Sequence, residues 1–149
     1  MNIIKIDFFR GCVYIDSIPI GVDEGGALND PVEKLCLPPS QTIQSKNLYR
    51  LSEKVSVCGQ SADCVIEING AKDLRVMFLF DLIIFFESNI LESKILIAFE
   101  KKFNVEFKSN HPSNAFLESC KWGSAIFSYD AKQGDLSFEI KIQGVQHDH

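Results

Sequence analysis

Apolar and polar positions alternate most cleanly near the C-terminus. There Leu136, Phe138, Ile140 and Ile142 alternate with Ser137, Glu139 and Lys141. A period of two puts the apolar set on one face of a strand and leaves the other face wet. Gly123-Ser124-Ala125-Ile126-Phe127-Ser128-Tyr129 reads as its antiparallel partner, with Asp130 to Asp135 as the turn and Gly134 free to take left-handed geometry. A second hairpin is predicted from Cys64-Val65-Ile66-Glu67-Ile68, then Asn69-Gly70, then Leu74 to Phe80. Asn and Gly both tolerate the positive φ of a tight turn. The second arm is apolar at nearly every position, as in a strand covered on both faces. Ile3, Ile4, Ile6, Phe8 and Phe9 predict a first strand, Arg10-Gly11 a turn, and Cys12 to Ile15 a returning strand.

Helical spacing shows in one place. Leu91, Ile95, Ala98, Phe99 and Phe103 fall on one face, with Glu100, Lys101 and Lys102 on the other. Asn89 and Glu92 form a cap pair, and Asn104 is a stop signal. A short helix is expected after Asp30 as cap, with Pro31 in first helical position and Glu33 closing a capping box, before Pro38-Pro39 ends it. Pro19 and the Gly21, Gly25 and Gly26 cluster break regular structure. Leu48 to Val57 alternates poorly, although Val55 and Val57 favour a strand. Val105-Glu106-Phe107 begins another strand and His111-Pro112-Ser113-Asn114 is a loop. Leu82 to Phe86 fits strand or helix equally. The fold class expected is α+β: a mainly antiparallel sheet of about seven strands with one long helix packed on it. Residues 1–144 are expected to form one domain and residues 145–149 a C-terminal tail.

Composition narrows the class. The chain has 149 residues, 46% apolar and 23% charged, which excludes a disordered, collagenous or coiled-coil protein. Fifteen basic against twenty acidic residues give a net charge of −5, a poor fit to nucleic acid. Lys5, Asp7 and Arg10 interrupt any secretory apolar region. The longest apolar run, Val76 to Phe86, carries Asp81 at its centre and is far short of the roughly 20 residues of a membrane span. A cytoplasmic protein without a membrane partner is expected.

Five cysteines, Cys12, Cys36, Cys58, Cys64 and Cys120, fit no metal or redox spacing and read as reduced core thiols. Cys58 and Cys64 have one other option, a bridge across a hairpin. His147-Asp148-His149 reads as a solvated tail, so no metal is expected. Phosphate-binding glycine loops, nucleophile elbows and zinc-protease helices are all missing from the sequence, so no cofactor and no enzymatic activity are expected. The enzyme alternative would place a pocket near Asp81, Cys120 and His111. A further alternative is a structural subunit of a larger assembly.

Charge placement suggests a partner. No basic residue lies between Arg10 and Lys34, while Asp16, Asp23, Glu24, Asp30 and Glu33 do. Asp23, Glu24, Asp30 and Glu33 are candidate contacts to a basic protein, since complementary charge speeds encounter and sets register. Trp122 and Tyr129 are candidate aromatic anchors.

The hairpin Trp122-Gly123-x-x-x-Phe127-x-Tyr129-Asp130…Gly134-x-Leu136-x-Phe138-x-Ile140 resembles those that end many small bacterial immunity proteins, including partners of contact-dependent growth inhibition toxins. The resemblance spans Trp122 to Ile140. It implies a monomer that binds and neutralises a cognate toxin domain, forming a heterodimer by stoichiometric, non-catalytic inhibition in the cytosol. If the toxin is a nuclease, its substrate site is basic and an acidic protein can block it.

Overall fold

The Asn69-Gly70 turn joins two long strands, β7 (Gln60–Asn69) and β8 (Asp73–Phe80), paired from Ala62 opposite Phe80 to Asn69 opposite Asp73. Gly70 holds φ +68, the geometry that the sequence signal requires. This is a computed structural model describing residues 1–38, 41–43, 46–70, 73–80, 91–111, 114–117, 121–130 and 135–143. The C-terminal hairpin also forms as expected. Strand β11 (Gly123–Asp130) pairs with β12 (Asp135–Ile142), and β12 lies against β8. Ala62, Cys64, Ile66 and Ile68, with Val76, Phe78, Phe138 and Ile140, are buried on one face. The other face is only partly shielded. Arg75 and Met77 are half-buried and Leu79 is 36% exposed, so β8 is not covered on both sides.

The remaining strands extend the same sheet. They are β1 (Asn2–Asp7), β2 (Cys12–Ile15), β3 (Ile18–Pro19), β4 (Gln41–Ile43), β5 (Lys46–Arg50), β6 (Val55–Val57), β9 (Lys108–His111) and β10 (Asn114–Phe116). The order is β3-β2-β1-β6-β7-β8-β12-β11-β10-β9, with β5 beside the C-terminal half of β7 and β4 outside it. The pair β1–β6 is parallel and the other described pairs are antiparallel. Two helices are described, α1 (Asp30–Glu33) and α2 (Leu91–Phe103).

This corrects the expected fold class. The protein is mostly β, a twelve-stranded mixed sheet with two short helices among the described residues, not a seven-stranded sheet under one long helix. The extra strands β4, β6, β9 and β10 have three or four residues each, too few for a period of two to stand out. Lys108–His111 is polar throughout yet pairs with β10. Val105 to Phe107 is not a strand. Asn104, at φ +53, ends α2, and the Val105 N–H returns to the Glu100 carbonyl at 3.2 Å, the long bond of a Schellman turn. Glu100 Oε2 then accepts the Phe107 N–H at 2.9 Å, so this stretch is tied to the helix end instead of to a neighbouring strand.

The buried face is filled by phenylalanine. Phe99 of α2 lies 4.8 Å from Phe127 and 5.0 Å from Phe138, measured between ring centroids, and Phe127 and Phe138 stack at 4.4 Å. Phe8, just beyond β1, meets Phe103 at 5.2 Å and Phe138 at 6.2 Å. Strand β1 is four places from β12 in the sheet order, so these contacts require the sheet to curl, with α2 against its inner face.

Candidate protein-docking cleft

The apolar run that begins the chain stops being a strand at Asp7. The Asp7 Oδ1 atom accepts the N–H groups of Phe9 and Arg10, both at 3.0 Å, and its carbonyl accepts the Gly11 N–H at 2.8 Å. Such an aspartate clamp favours a turn over a ladder. Phe8 then turns into the core while Phe9 is 93% exposed. Gly11 holds φ +71 and lies flush against Trp122, where an added Cβ would overlap the indole Cγ.

Trp122 precedes β11, and Gly123 at φ +152 brings this backbone against the Lys141 carbonyl, leaving no room for a Cβ. Trp122 Nε1 donates to the Phe8 carbonyl at 2.7 Å, and its own carbonyl accepts the Gln143 N–H at 2.8 Å. Indole and turn therefore hold each other. Between them and the end of α2 lies a cleft of about 900 Å³, lined by residues 6–9, residues 102–106, Leu117, Lys121 and Trp122. Its apolar walls include Phe9, Phe103 and Leu117, and its charged groups are Asp7, Lys102, Glu106 and Lys121.

The candidate contact residues fall in different places. Trp122 lines the cleft. Tyr129 lies in β11 opposite Leu136. Asp23, Glu24, Asp30 and Glu33 are exposed and none lines the cleft. The Asp23 carboxylate is already engaged, accepting the N–H groups of Gly25 and Ala27 at 2.9 Å each. Asp30 pairs with Lys34 at 3.3 Å, one helical turn on. The expected capping box does not form. Asn29 holds the N-cap position without a side-chain cap bond, because its amide clips the preceding loop by accepting from Gly21 and donating to the Pro19 carbonyl.

The four described cysteines are free, and the Cys58–Cys64 bridge is absent. Cys58, at φ +51, and Gly59 form the two-residue turn between β6 and β7, while Cys64 lies buried opposite Phe78. Burial pushes the Cys64 thiol well up, and burial assisted by Glu33 pushes Cys36 up to about 11. Tyr14 is also raised, chiefly by a hydrogen bond with Cys12. Of the enzyme alternative's residues, Asp81 and Cys120 lie outside the described residues, and His111 sits in β9 opposite Asn114. The undecided stretch Leu82 to Phe86, the Asn89 cap and His147 to His149 also lie outside them. Among the described residues no group of three or more His, Cys, Asp or Glu could hold a metal, and no helix is long and apolar enough to cross a membrane.

Sequence reasoning missed Phe9 by placing it in the first strand. The signal was present in Asp7-Phe8-Phe9-Arg10-Gly11, where an aspartate precedes a glycine-closed turn. No family model, curated protein or solved structure matches the chain.

Proposed function

We propose that this chain is a stoichiometric, non-catalytic protein inhibitor of the immunity type, and that it docks a cognate toxin domain through Phe9, Trp122 and the cleft between them. Phe9 carries the reading: an aromatic ring 93% exposed on a turn that hydrogen bonds already fix. An exposed apolar ring gains nothing from water, and a backbone already ordered beneath it lowers the entropy cost of binding. Trp122 beside it adds the residue type most enriched at binding hot spots. Support for the immunity class comes from the Trp122 to Ile140 hairpin that resembles such proteins. Glu24 and Glu33 remain as exposed acidic groups to steer a basic partner.

The test is capture from a lysate of the native host with three baits: the natural chain, Phe9→Ala, and Glu24→Lys with Glu33→Lys. A near-stoichiometric protein held by the natural chain, lost from Phe9→Ala, and reduced at low salt on the charge-reversed bait with the difference closing as salt rises, is the expected pattern. Equal capture by the natural chain and Phe9→Ala would overturn the docking surface, and capture of nothing would overturn the inhibitor reading.

A further inference from the structure

We infer that Asn69 is a site of spontaneous covalent modification, converted through a cyclic imide to aspartate and isoaspartate, and that the change loosens the end of the β7–β8 hairpin. Asn69 is the one asparagine of this chain that glycine follows. Ring closure brings the backbone nitrogen of the next residue onto the side-chain carbonyl carbon, and glycine has no Cβ to bar that approach. The surroundings leave the path clear. Both residues are exposed, and a Cβ built on Gly70 would meet nothing within 4 Å. Among the described residues no hydrogen bond holds the Asn69 side chain or the Gly70 N–H. Asn29 and Asn104 show the contrast. The Asn29 amide is held by Gly21 and Pro19, and the nitrogen that follows Asn104 is bonded to the Glu100 carbonyl. Attack also requires the Asn69 backbone to swing out of the strand. Asn69 opposite Asp73 is the last pair of its ladder, where opening costs least.

In the first step the Gly70 nitrogen bonds to Asn69 Cγ and gives up its proton, while the Cγ–Nδ2 bond breaks and ammonia leaves. Water then opens the ring at either carbonyl. One opening gives aspartate. The other gives isoaspartate, whose main chain runs through Cβ and Cγ and is one carbon longer. Nothing is oxidised or reduced. An aspartate would stand in register between Lys46 of β5 and Asp73 of β8, so its new charge is offset. The isoaspartate lengthens the backbone where β5, β7 and β8 meet, and the residue can no longer stay opposite both neighbours. The reaction needs only water and is independent of the inhibitor reading.

Ageing the purified chain for weeks at body temperature and mildly alkaline pH tests this. Peptide mapping should find the Asn69 peptide with NH exchanged for O and isoaspartate as the larger product. Water enriched in heavy oxygen should label that peptide, and the Asn29 and Asn104 peptides should stay intact. The urea midpoint of the aged chain should fall. Asn69→Gln keeps an amide but needs a larger, slower-closing ring, so its midpoint should hold after the same ageing. Asn69 staying intact while a free peptide of residues 66–76 converts would overturn the inference. So would conversion of Asn29 or Asn104 at a matching rate, or a midpoint unmoved by conversion of Asn69.

Discussion

Trp122 donates its indole N–H to the carbonyl of Phe8, 114 residues earlier in the chain, at 2.7 Å. That bond ties the entry to the C-terminal hairpin to the first turn of the protein, and both sides of the cleft depend on it. Trp122→Phe keeps an aromatic ring but leaves the Phe8 carbonyl without its donor. We expect a loss of about 1–3 kcal/mol in urea unfolding. The same variant should raise protease cutting near the first turn. An unchanged midpoint would contradict the tie.

Gly11→Ala attacks the same contact from the other side. The backbone there is left-handed and the new methyl would overlap the indole. Destabilisation of more than about 1 kcal/mol is expected. Gly59, at φ +80 with open space around it, is the control. Gly59→Ala adds strain without a clash and should cost less than Gly11→Ala by the same assay.

Arg75 joins three strands on the less-shielded face. Its Nη1 donates to Glu67 at 3.0 Å and its Nη2 to Glu139 at 2.9 Å. Nε lies 2.7 Å from Glu139 Oε1 as an ion-pair contact without an aligned hydrogen bond. Arg75→Met leaves two half-buried carboxylates without the guanidinium. Because the arginine side chain is 32% exposed, the expected loss is about 1–3 kcal/mol, below that for a fully buried pair. Thermal unfolding at low and high salt reads it.

The thiols give a pH dependence. The folded pKa of Cys36 is raised to about 11 and that of Cys64 is raised further, both mainly by burial. A raised thiol pKa means the unfolded chain loses the proton first. Stability is therefore fully present below the unfolded value of about 8.5 and falls as pH rises toward the folded values. Cys64→Ala should shallow that fall. A thiol reagent at neutral pH should leave Cys64 unmodified in the folded chain. Rapid labelling of Cys64 under those conditions would contradict its burial.

Asp23 is a loop organiser in this structure. Asp23→Ala should speed hydrogen exchange at the Gly25 and Ala27 amides, which it now holds at 2.9 Å. Glu24→Ala should leave both amides protected. This comparison separates the acidic residues that build the loop from those free to meet a partner.

The elements that sequence reasoning found were those with long, local signals. Asn69-Gly70 and the alternation from Leu136 to Ile142 specify hairpins whose partners are close in sequence. The α2 helix was legible from Phe99 and Phe103, and its end from Asn104. The parallel pairing of Asn2 with Val55 was not, because nothing local encodes a partner fifty residues away. The hairpin of Lys108–His111 with Asn114–Phe116 hid behind polar residues. The cleft was half legible. Trp122 stood out by residue type, but Phe9 looked like core until the Asp7 carboxylate was seen turning the chain outward.

The most direct test of the docking claim is growth rescue. The captured partner's toxic domain would be expressed in a sensitive bacterial host with either the natural chain or Phe9→Ala, at matched soluble levels. The account predicts that the natural chain restores growth and that Phe9→Ala does not. Equal rescue by both would contradict Phe9 as the docking anchor, and rescue by neither would contradict the inhibitor reading itself.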